Sequence, residues 1–407
     1  MVKDKQTNKE EFVDIEKLPM LNVGIFGHID HGKTTLLQRL SGKWTDTHSE
    51  ELKRGITIKL GYADAIIRKK GDDYNIKEGD AVRYITFVDA PGHEMLMVTM
   101  LSGAAIIDAA ILVVAANEGI KPQTREHLIA LDAKNINNII VVQNKIDLVE
   151  KHEAVRNFKQ IKDFLKGTIA ENAPIIPVSA QQEVNINKLL EELCKIDIPE
   201  RDLKCDPMFI IARSFDVNKP GTKISDLQGG VLGGSLKCGT LKVGDEIEIK
   251  PGINYKRENQ IVYDTIKTKI TKIFRGKYEI KEAIPGGSLA LQTDLDPNVS
   301  KADSLSSQVV GTTGKLPEIT FDVKLKLNLF DKVIGTDEKI DVGVIKHNEL
   351  LLLSLNTMIS VGNVIKVTPE DIEIALKVPI IPFKGDKVGL ARNLKGHWRL
   401  IGFGELI

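Results

Sequence analysis

The stretch GHIDHGKTTL, Gly27 to Leu36, decides the fold. It has the spacing G-x-x-x-x-G-K-[S/T], follows the apolar run LNVGIFG (21–27) and opens a segment of helical composition. A strand leading through that loop into a helix is a phosphate-binding arrangement. The glycines let the backbone close on a polyanion, so that successive N–H groups and the helix N-terminus face its oxygens. Lys33 then reaches the β and γ phosphates, and Thr34 offers its hydroxyl to Mg²⁺. Asp30 is the oddity, a negative side chain in a loop suited to negative ligands.

Outward from the loop, ITFVDA (85–90), AAILVVAAN (109–117) and NNIIVVQNK (137–145) are continuous β-branched runs. Such runs suit strands buried on both faces of a mostly parallel sheet. Between them lie KPQTREHLIALDA (121–133) and EKHEAVRNFKQIKDFLKG (150–167), with apolar residues at helical spacings. After IDIPERDLKCDP (196–207) the pattern turns to period-two strands and glycine-rich turns, as in KVGDEIEIKPG (242–252), AIPGGSLALQT (283–293) and FDVKLKLNL (321–329). The expected fold class is an α/β P-loop GTPase domain followed by two all-β barrel domains. The expected division is a flexible lead-in over 1–18, a GTP-binding domain over 19–206, and barrels over 207–314 and 315–407. The seam between the barrels falls in GTTGKLPE (311–318).

Two further strings define the ligand. VDAPGH (88–93) places Asp89 at a strand end, where a carboxylate can hold Mg²⁺ through water. Gly92 lacks a Cβ, so its N–H can turn onto a γ-phosphate and away again when that phosphate leaves. NKID (144–147) ends another strand, and its Asp147 suits the N1–H and exocyclic amine of guanine, an edge that adenine does not offer. Asn144 belongs to the same reading head, Lys145 can lay its stem along the base, and Ser179, Ala180 and Gln181 can add backbone donors to O6. GTP and GDP are therefore expected over adenine nucleotides. The cofactor-binding set is Asp30, His31, Gly32, Lys33, Thr34, Thr35, Asn144, Lys145, Asp147, Ser179, Ala180 and Gln181, with His28 and His31 also shaping the loop.

The strings GHxDHGKT, RGITI, DAPGH and NKxD together resemble the translational GTPases, the superfamily of elongation factor Tu. Within it, WTDTHSEELKRGITIKLGYADA (44–65), RSFDVNKPGT (213–222) and GGVLGGSLKCGTLKVGDEIEIKPG (229–252) are similar to the gamma-subunit family of archaeal and eukaryotic translation initiation factor 2. The resemblance covers nearly the whole chain. It implies a carrier of methionyl initiator tRNA to the small ribosomal subunit, working as a heterotrimer with alpha and beta subunits. It places Thr57 as a further Mg²⁺ and γ-phosphate sensor beside Thr34 and Asp89. It makes His93 the group that orients the attacking water and Ile29 part of an apolar gate beside it. For Asp30 it implies a hold on an additional cation near the phosphates; the other reading is a carboxylate bonding loop amides or a neighbouring histidine. The catalytic set is His93, Asp30, Gly92 and Ile29, and the metal set is Thr34, Thr57, Asp89 and Asp30. By the same resemblance the aminoacyl end of the tRNA lies near RSFDVNKPGT and GGVLGG.

The family's zinc-binding insertion should lie between RGITI and DAPGH, yet RKKGDDYNIKEGDAVRYITF (68–87) holds no cysteine, so no zinc is expected. Cys194, Cys205 and Cys238 have no CxxC spacing, and the odd count suits reduced thiols and a cytoplasmic protein. With 56 residues of each charge sign there is no net field to attract RNA, so any contact must come from local patches. One such patch is Lys384, Lys387, Arg392, Lys395 and Arg399 against Asp386. No apolar run approaches the ~18 residues of a membrane span, so no membrane partner is expected. Other GTPases of the same plan remain open, a selenocysteine-type elongation factor and the GTPase subunit of sulfate adenylyltransferase.

Overall fold

The computed structural model describes residues 13–43, 61–89, 107–258, 260–333 and 340–407. The first unit is a seven-stranded sheet built from β1 (Met20–Gly27), β2 (Gly61–Lys70), β3 (Asp73–Asn75), β4 (Asp80–Asp89), β5 (Ala109–Ala115), β6 (Ile139–Asn144) and β7 (Ile175–Pro177). Its order is β3-β2-β4-β1-β5-β6-β7, with β1, β4, β5, β6 and β7 parallel and the β2–β3 hairpin antiparallel. That hairpin and β4 occupy the interval between RGITI and DAPGH.

The strands alternate their side chains between two cores. Ile111 and Val113 pack with Leu36, Leu37 and Leu40 of α1 (Lys33–Ser41), and Leu112 and Val114 pack with Leu128 and Leu131 of α2 (Pro122–Ala133). Helix α3 (Lys151–Leu165) covers the α2 side and α4 (Ile186–Lys195) the α1 side. The helices that follow β1 and β5, α1 and α2, thus sit on opposite faces of the sheet, opening a crevice at the carboxyl ends of those strands, where such sheets bind ligands.

The remaining strands form two rings. β8 (Met208–Phe215), β9 (Val231–Cys238), β11 (Glu246–Arg257), β12 (Gln260–Arg275), β15 (Leu289–Thr293) and β16 (Val309–Thr312) close through the pairing of β11 with β12. β13 (Tyr278–Ile280) adds to β12, and β10 (Leu241–Lys242) pairs with β14 (Glu282–Ala283). β17 (Thr320–Leu329), β18 (Leu350–Leu355), β19 (Met358–Val367), β20 (Asp371–Ile380), β21 (Lys387–Leu394) and β22 (His397–Leu406) form a second closed barrel. Alternation is plain in β17, where Val323 and Leu325 point inward while Asp322, Lys324 and Lys326 are exposed.

The first unit is locked to the first barrel through buried polar groups. Gly287 N–H donates to Asn22 Oδ1 at 2.8 Å, Ser288 N–H to Thr86 Oγ1 at 2.8 Å, and Ser288 Oγ to Asp64 Oδ1 at 2.9 Å. Arg201 grips both oxygens of Asp108 at 2.8 and 2.6 Å, and Asp108 also accepts from Asn22 N–H.

Two expectations need correction. The lead-in is not flexible over its last residues: Ile15–Lys17 forms a single 3-10 turn, and Ile15, 3% exposed, is buried in the first barrel's core together with Met20 and Tyr84. The apolar Val13, Ile15 and Leu18 supply that anchor. The cysteines are not all free either, because Cys205 and Cys238 form a disulfide with Cα atoms 6.1 Å apart, leaving Cys194 as the free thiol. Their separation of 33 residues gave no local signal; the approach is made by Gly239 N–H bonding Asp202 O at 2.8 Å, which lays the linker along the end of β9.

Candidate functional site: a phosphate loop and a base pocket

The carboxyl ends of four strands bring the sequence motifs together. The sheet register sets Gly27 opposite Val113, Ile25 opposite Asp89, Ala115 opposite Asn144 and Gln143 opposite Pro177. Gly32 precedes α1 at φ 86°, a left-handed conformation, and a Cβ there would lie 2.5 Å from Asn144 Nδ2. Glycine is therefore required both by the turn and by the close approach.

Lys33 is 7% exposed and folds over the loop, its Nζ donating to Gly27 O at 3.0 Å and His28 O at 2.9 Å. Thr34 Oγ1 donates to Asp89 Oδ2 at 3.1 Å, placing a hydroxyl and a fully buried carboxylate side by side at the loop. That pair of hard oxygen donors suits Mg²⁺. Asp30 sits exposed at φ 60°, and among the described residues no hydrogen bond runs from its carboxylate to a loop amide or histidine. Ile29 and Thr35 are part-buried beside it.

Asn144 is a brace between the two halves of the site. Its Nδ2 donates to His31 O at 2.9 Å and its Oδ1 accepts from Ala180 N–H at 3.1 Å. Ser179 is buried and accepts from Gln182 N–H, while Gln181 is exposed. Lys145 adopts φ 61° and approaches Glu118 at 3.8 Å; Asp147 follows, exposed at the mouth. His93, Gly92 and Thr57 lie outside the described residues.

Three contributors were not singled out in the sequence. Arg39 on α1 holds the 179–183 turn, donating to Ala180 O at 3.1 Å, Gln181 O at 3.3 Å and Glu183 at 2.7 Å. Gln123 and His127 are one turn apart on α2 and both reach the phosphate loop. Ile29 N–H donates to Gln123 Oε1 at 3.2 Å, and Gly27 N–H donates to His127 Nδ1 at 2.9 Å. The signal available was a run of polar residues, Gln123, Thr124, Glu126 and His127, on a helix whose neighbours are core leucines.

His127 and His31 are held neutral. Burial, with Lys33 nearby, pushes His127 down to about 3, and burial likewise pushes His31 down to about 4. His127 accepts at Nδ1, so its proton is on Nε2, and protonating Nδ1 would set it against the Gly27 N–H. Both groups have folded pKa values below the unfolded 6.5, so the unfolded chain binds more protons below pH 6.5. Their contribution is therefore complete above pH 6.5 and is lost as pH falls toward 4. We expect nucleotide affinity and melting temperature to fall together over that window, with stability dropping by at most about 1.4 kcal/mol for each histidine as the pH is lowered by one. His127→Ala should leave the Gly27 N–H buried without an acceptor, costing about 1–3 kcal/mol at neutral pH, and should flatten the pH profile.

Residues 18–197 match the family described as the elongation factor Tu GTP binding domain, and residues 321–406 match initiation factor eIF2 gamma, C terminal. The translation initiation factor 2 subunit gamma of Methanococcus maripaludis is 49% identical over 402 residues, covering 95% of this chain and 98% of the relative. That of Archaeoglobus fulgidus is 48% identical over 409 residues, covering 97% and 96%. The chain belongs to the translation initiation factor 2 gamma-subunit family. It is a GTPase of translation initiation, with a GTP-binding domain of the elongation factor Tu type.

Gamma-subunit architecture has wider structural kin. Translation elongation factor SelB from Methanococcus maripaludis, solved with the GTP analogue GppNHp, superposes with a TM-score of 0.72 at 24% identity, covering 96% of this chain and 79% of that one. A bacterial selenocysteine-specific elongation factor gives a TM-score of 0.75 at 24% identity. This chain spans 58% of that protein's length. At such identity the likeness concerns the fold.

The basic strip near the C-terminus is largely used inside the gamma-type fold. Arg392 bonds Glu349 and Val342 O, Arg399 approaches Glu126 of α2 at 3.7 Å, and Lys387 Nζ donates to Ala133 O at 3.0 Å. Leu400 and Phe403 join the α2 core beside these contacts. Lys387 and Arg399 therefore clamp the second barrel to the GTPase domain, while Lys384 and Lys395 stay exposed.

Proposed function

We propose that the chain, in its GTP form, carries methionyl initiator tRNA to the small ribosomal subunit as the gamma member of a heterotrimer with alpha and beta subunits. GTP hydrolysis then releases it. The observation that supports this reading most is the Asn144 brace, because it makes the guanine-reading turn and the phosphate loop one body. In this reading Lys33 exchanges its carbonyl partners for the β and γ phosphates. Thr34 and Asp89, with Thr57, hold Mg²⁺, which when bound neutralises phosphate charge. Asp147 and Lys145 read and cover the guanine, and of the three amides expected at its O6 that of Gln181 is offered, because the N–H groups of Ser179 and Ala180 bond Val184 O and Asn144 Oδ1.

Asp30 and Ile29 belong to the phosphate loop; in this reading His93 orients water and Gly92 senses the γ-phosphate. The Asp30 carboxylate, exposed on the loop, takes an additional cation. Without an arginine supplied from outside, turnover is slow, on the order of 10⁻⁴ to 10⁻² s⁻¹. Hydrolysis thus times release. The test is filter binding of initiator and elongator methionyl-tRNA with the chain loaded with a GTP analogue or with GDP. Selective retention of the initiator species in the analogue-bound form is expected, and equal retention of both tRNAs overturns the reading.

A further inference from the structure

Residues 178–184 run from the end of β7 toward α4 and carry the turn proposed to face the base. Most of their amides are taken. Val178 N–H donates to Gln143 O at 2.7 Å, Ser179 N–H to Val184 O at 3.3 Å, and Val184 N–H to Ser179 O at 3.0 Å. Ala180 N–H donates to Asn144 Oδ1 and Gln182 N–H to Ser179 Oγ, each at 3.1 Å. Among the described residues, the amides of Gln181 and Glu183 are left without a bonded acceptor.

Of these, the Gln181 N–H has its direction set from outside the turn. Arg39, part-buried on α1, donates from Nε to Ala180 O at 3.1 Å, from one Nη to Gln181 O at 3.3 Å and from the other to Glu183 Oε1 at 2.7 Å. A peptide unit is planar and trans, so its C=O and N–H point opposite ways. The Ala180 carbonyl and the Gln181 N–H share one such unit. Turning that carbonyl onto Arg39 therefore aims the Gln181 N–H away from the guanidinium. The next unit is held too, by Gln181 O on Arg39 and Gln182 N–H on Ser179 Oγ. The Glu183 N–H shares its unit with Gln182 O, which nothing among the described residues bonds.

The guanidinium also strengthens the donor it aims. Hydrogen bonds in a chain polarise one another by roughly 10–30% per bond, and this chain begins on a full charge. The support is rigid, because Leu36, Leu37 and Leu40 fix α1 in the core with no exposed surface. The same helix opens with Lys33 and Thr34. Arg39 stands six residues beyond Lys33, about 9 Å along the axis at 1.5 Å per residue. One rod thus sets the spacing between the phosphate loop and the turn.

We propose that Arg39 is the positioning residue that gives the site its preference for an oxygen at position 6 of the base, by aiming the Gln181 N–H through the Ala180 carbonyl. This rests on the reading of Asn144 to Asp147 and the 179–181 turn as the guanine pocket. It divides the base between two residues. Asp147 reads the N1–H and the amine, and Arg39, acting through the backbone, reads O6.

The experiment measures binding of GDP, 6-thio-GDP and IDP to the full chain by competition against a fluorescent nucleotide. 6-Thio-GDP keeps the N1–H and the amine but carries sulfur, a weak acceptor, in place of O6. IDP keeps O6 and lacks the amine. The parent should prefer GDP over 6-thio-GDP by about tenfold, near the contribution of one hydrogen bond. Arg39→Met should cut that ratio to about twofold or less, while the ratio of GDP to IDP stays at the parent's value. Each ratio comes from one preparation, so any unfolded fraction cancels. A merely structural role would weaken all three nucleotides together and leave the 6-thio ratio intact. The proposal is overturned if that ratio survives in Arg39→Met, if it is absent in the parent, or if the IDP ratio collapses with it. A parent that binds GDP and IDP alike sinks the guanine reading itself, and the parent alone reveals that failure.

Discussion

Replacing Asp147 with Asn should exchange the base that the site accepts. Guanine presents two donors, N1–H and the exocyclic amine, on the edge proposed for Asp147, and a carboxylate accepts both. An amide keeps one acceptor and substitutes a donor, which opposes the amine but suits the O2 carbonyl of xanthine. Sites that recognise a polar edge reject a mismatched one by about 10⁴-fold. Asp147→Asn should therefore weaken GDP binding by about that factor and bring xanthosine diphosphate close to the parent's GDP affinity, measured by competition against a fluorescent nucleotide. Asp147 is exposed, so the fold should be unaffected and melting of the nucleotide-free chain unchanged. Loss of affinity for both bases would place the base pocket elsewhere.

The second large effect belongs to Asn144. Its side chain donates to His31 O and accepts from Ala180 N–H, and it is 2% exposed. Asn144→Ala orphans two buried backbone groups, at about 1–3 kcal/mol each, and uncouples the phosphate loop from the guanine-reading turn. We expect GDP affinity to drop 100-fold or more, about 2.7 kcal/mol, together with a lower melting temperature. Asn144→Asp is the sharper test. It keeps an acceptor for Ala180 but turns an anionic oxygen toward the His31 carbonyl and the phosphates, so it should bind no better than the alanine variant. Recovery by Asp would mean that the brace to His31 is unimportant.

How much of this was legible beforehand depends on how the chemistry is written into the chain. The phosphate loop, VDAPGH and NKID are each contiguous, so local spacing alone suggests roles for their glycines and charged residues. The sheet was legible for a similar reason, since runs such as AAILVVAAN fit a strand buried on both faces. His127, Gln123 and Arg39 were not. They act on loops 94 to 144 residues away, and within their own helices they look like ordinary polar residues. The second role of Asn144, as a brace, was hidden behind its motif role. The disulfide likewise depends on a linker meeting a strand end, which no spacing announces.

The seam between the GTPase domain and the first barrel has a practical corollary. Asn22, Tyr84, Thr86 and Met20 belong to the strands that carry the nucleotide site, yet they are finished by Gly287, Ser288 and the barrel's core. Cutting the gene after the nucleotide-binding half would hand the solvent a raw apolar flank, with Tyr84 and Met20 at its centre. Such a fragment should be sticky and short-lived, which makes the catalytic half a poor stand-alone reagent.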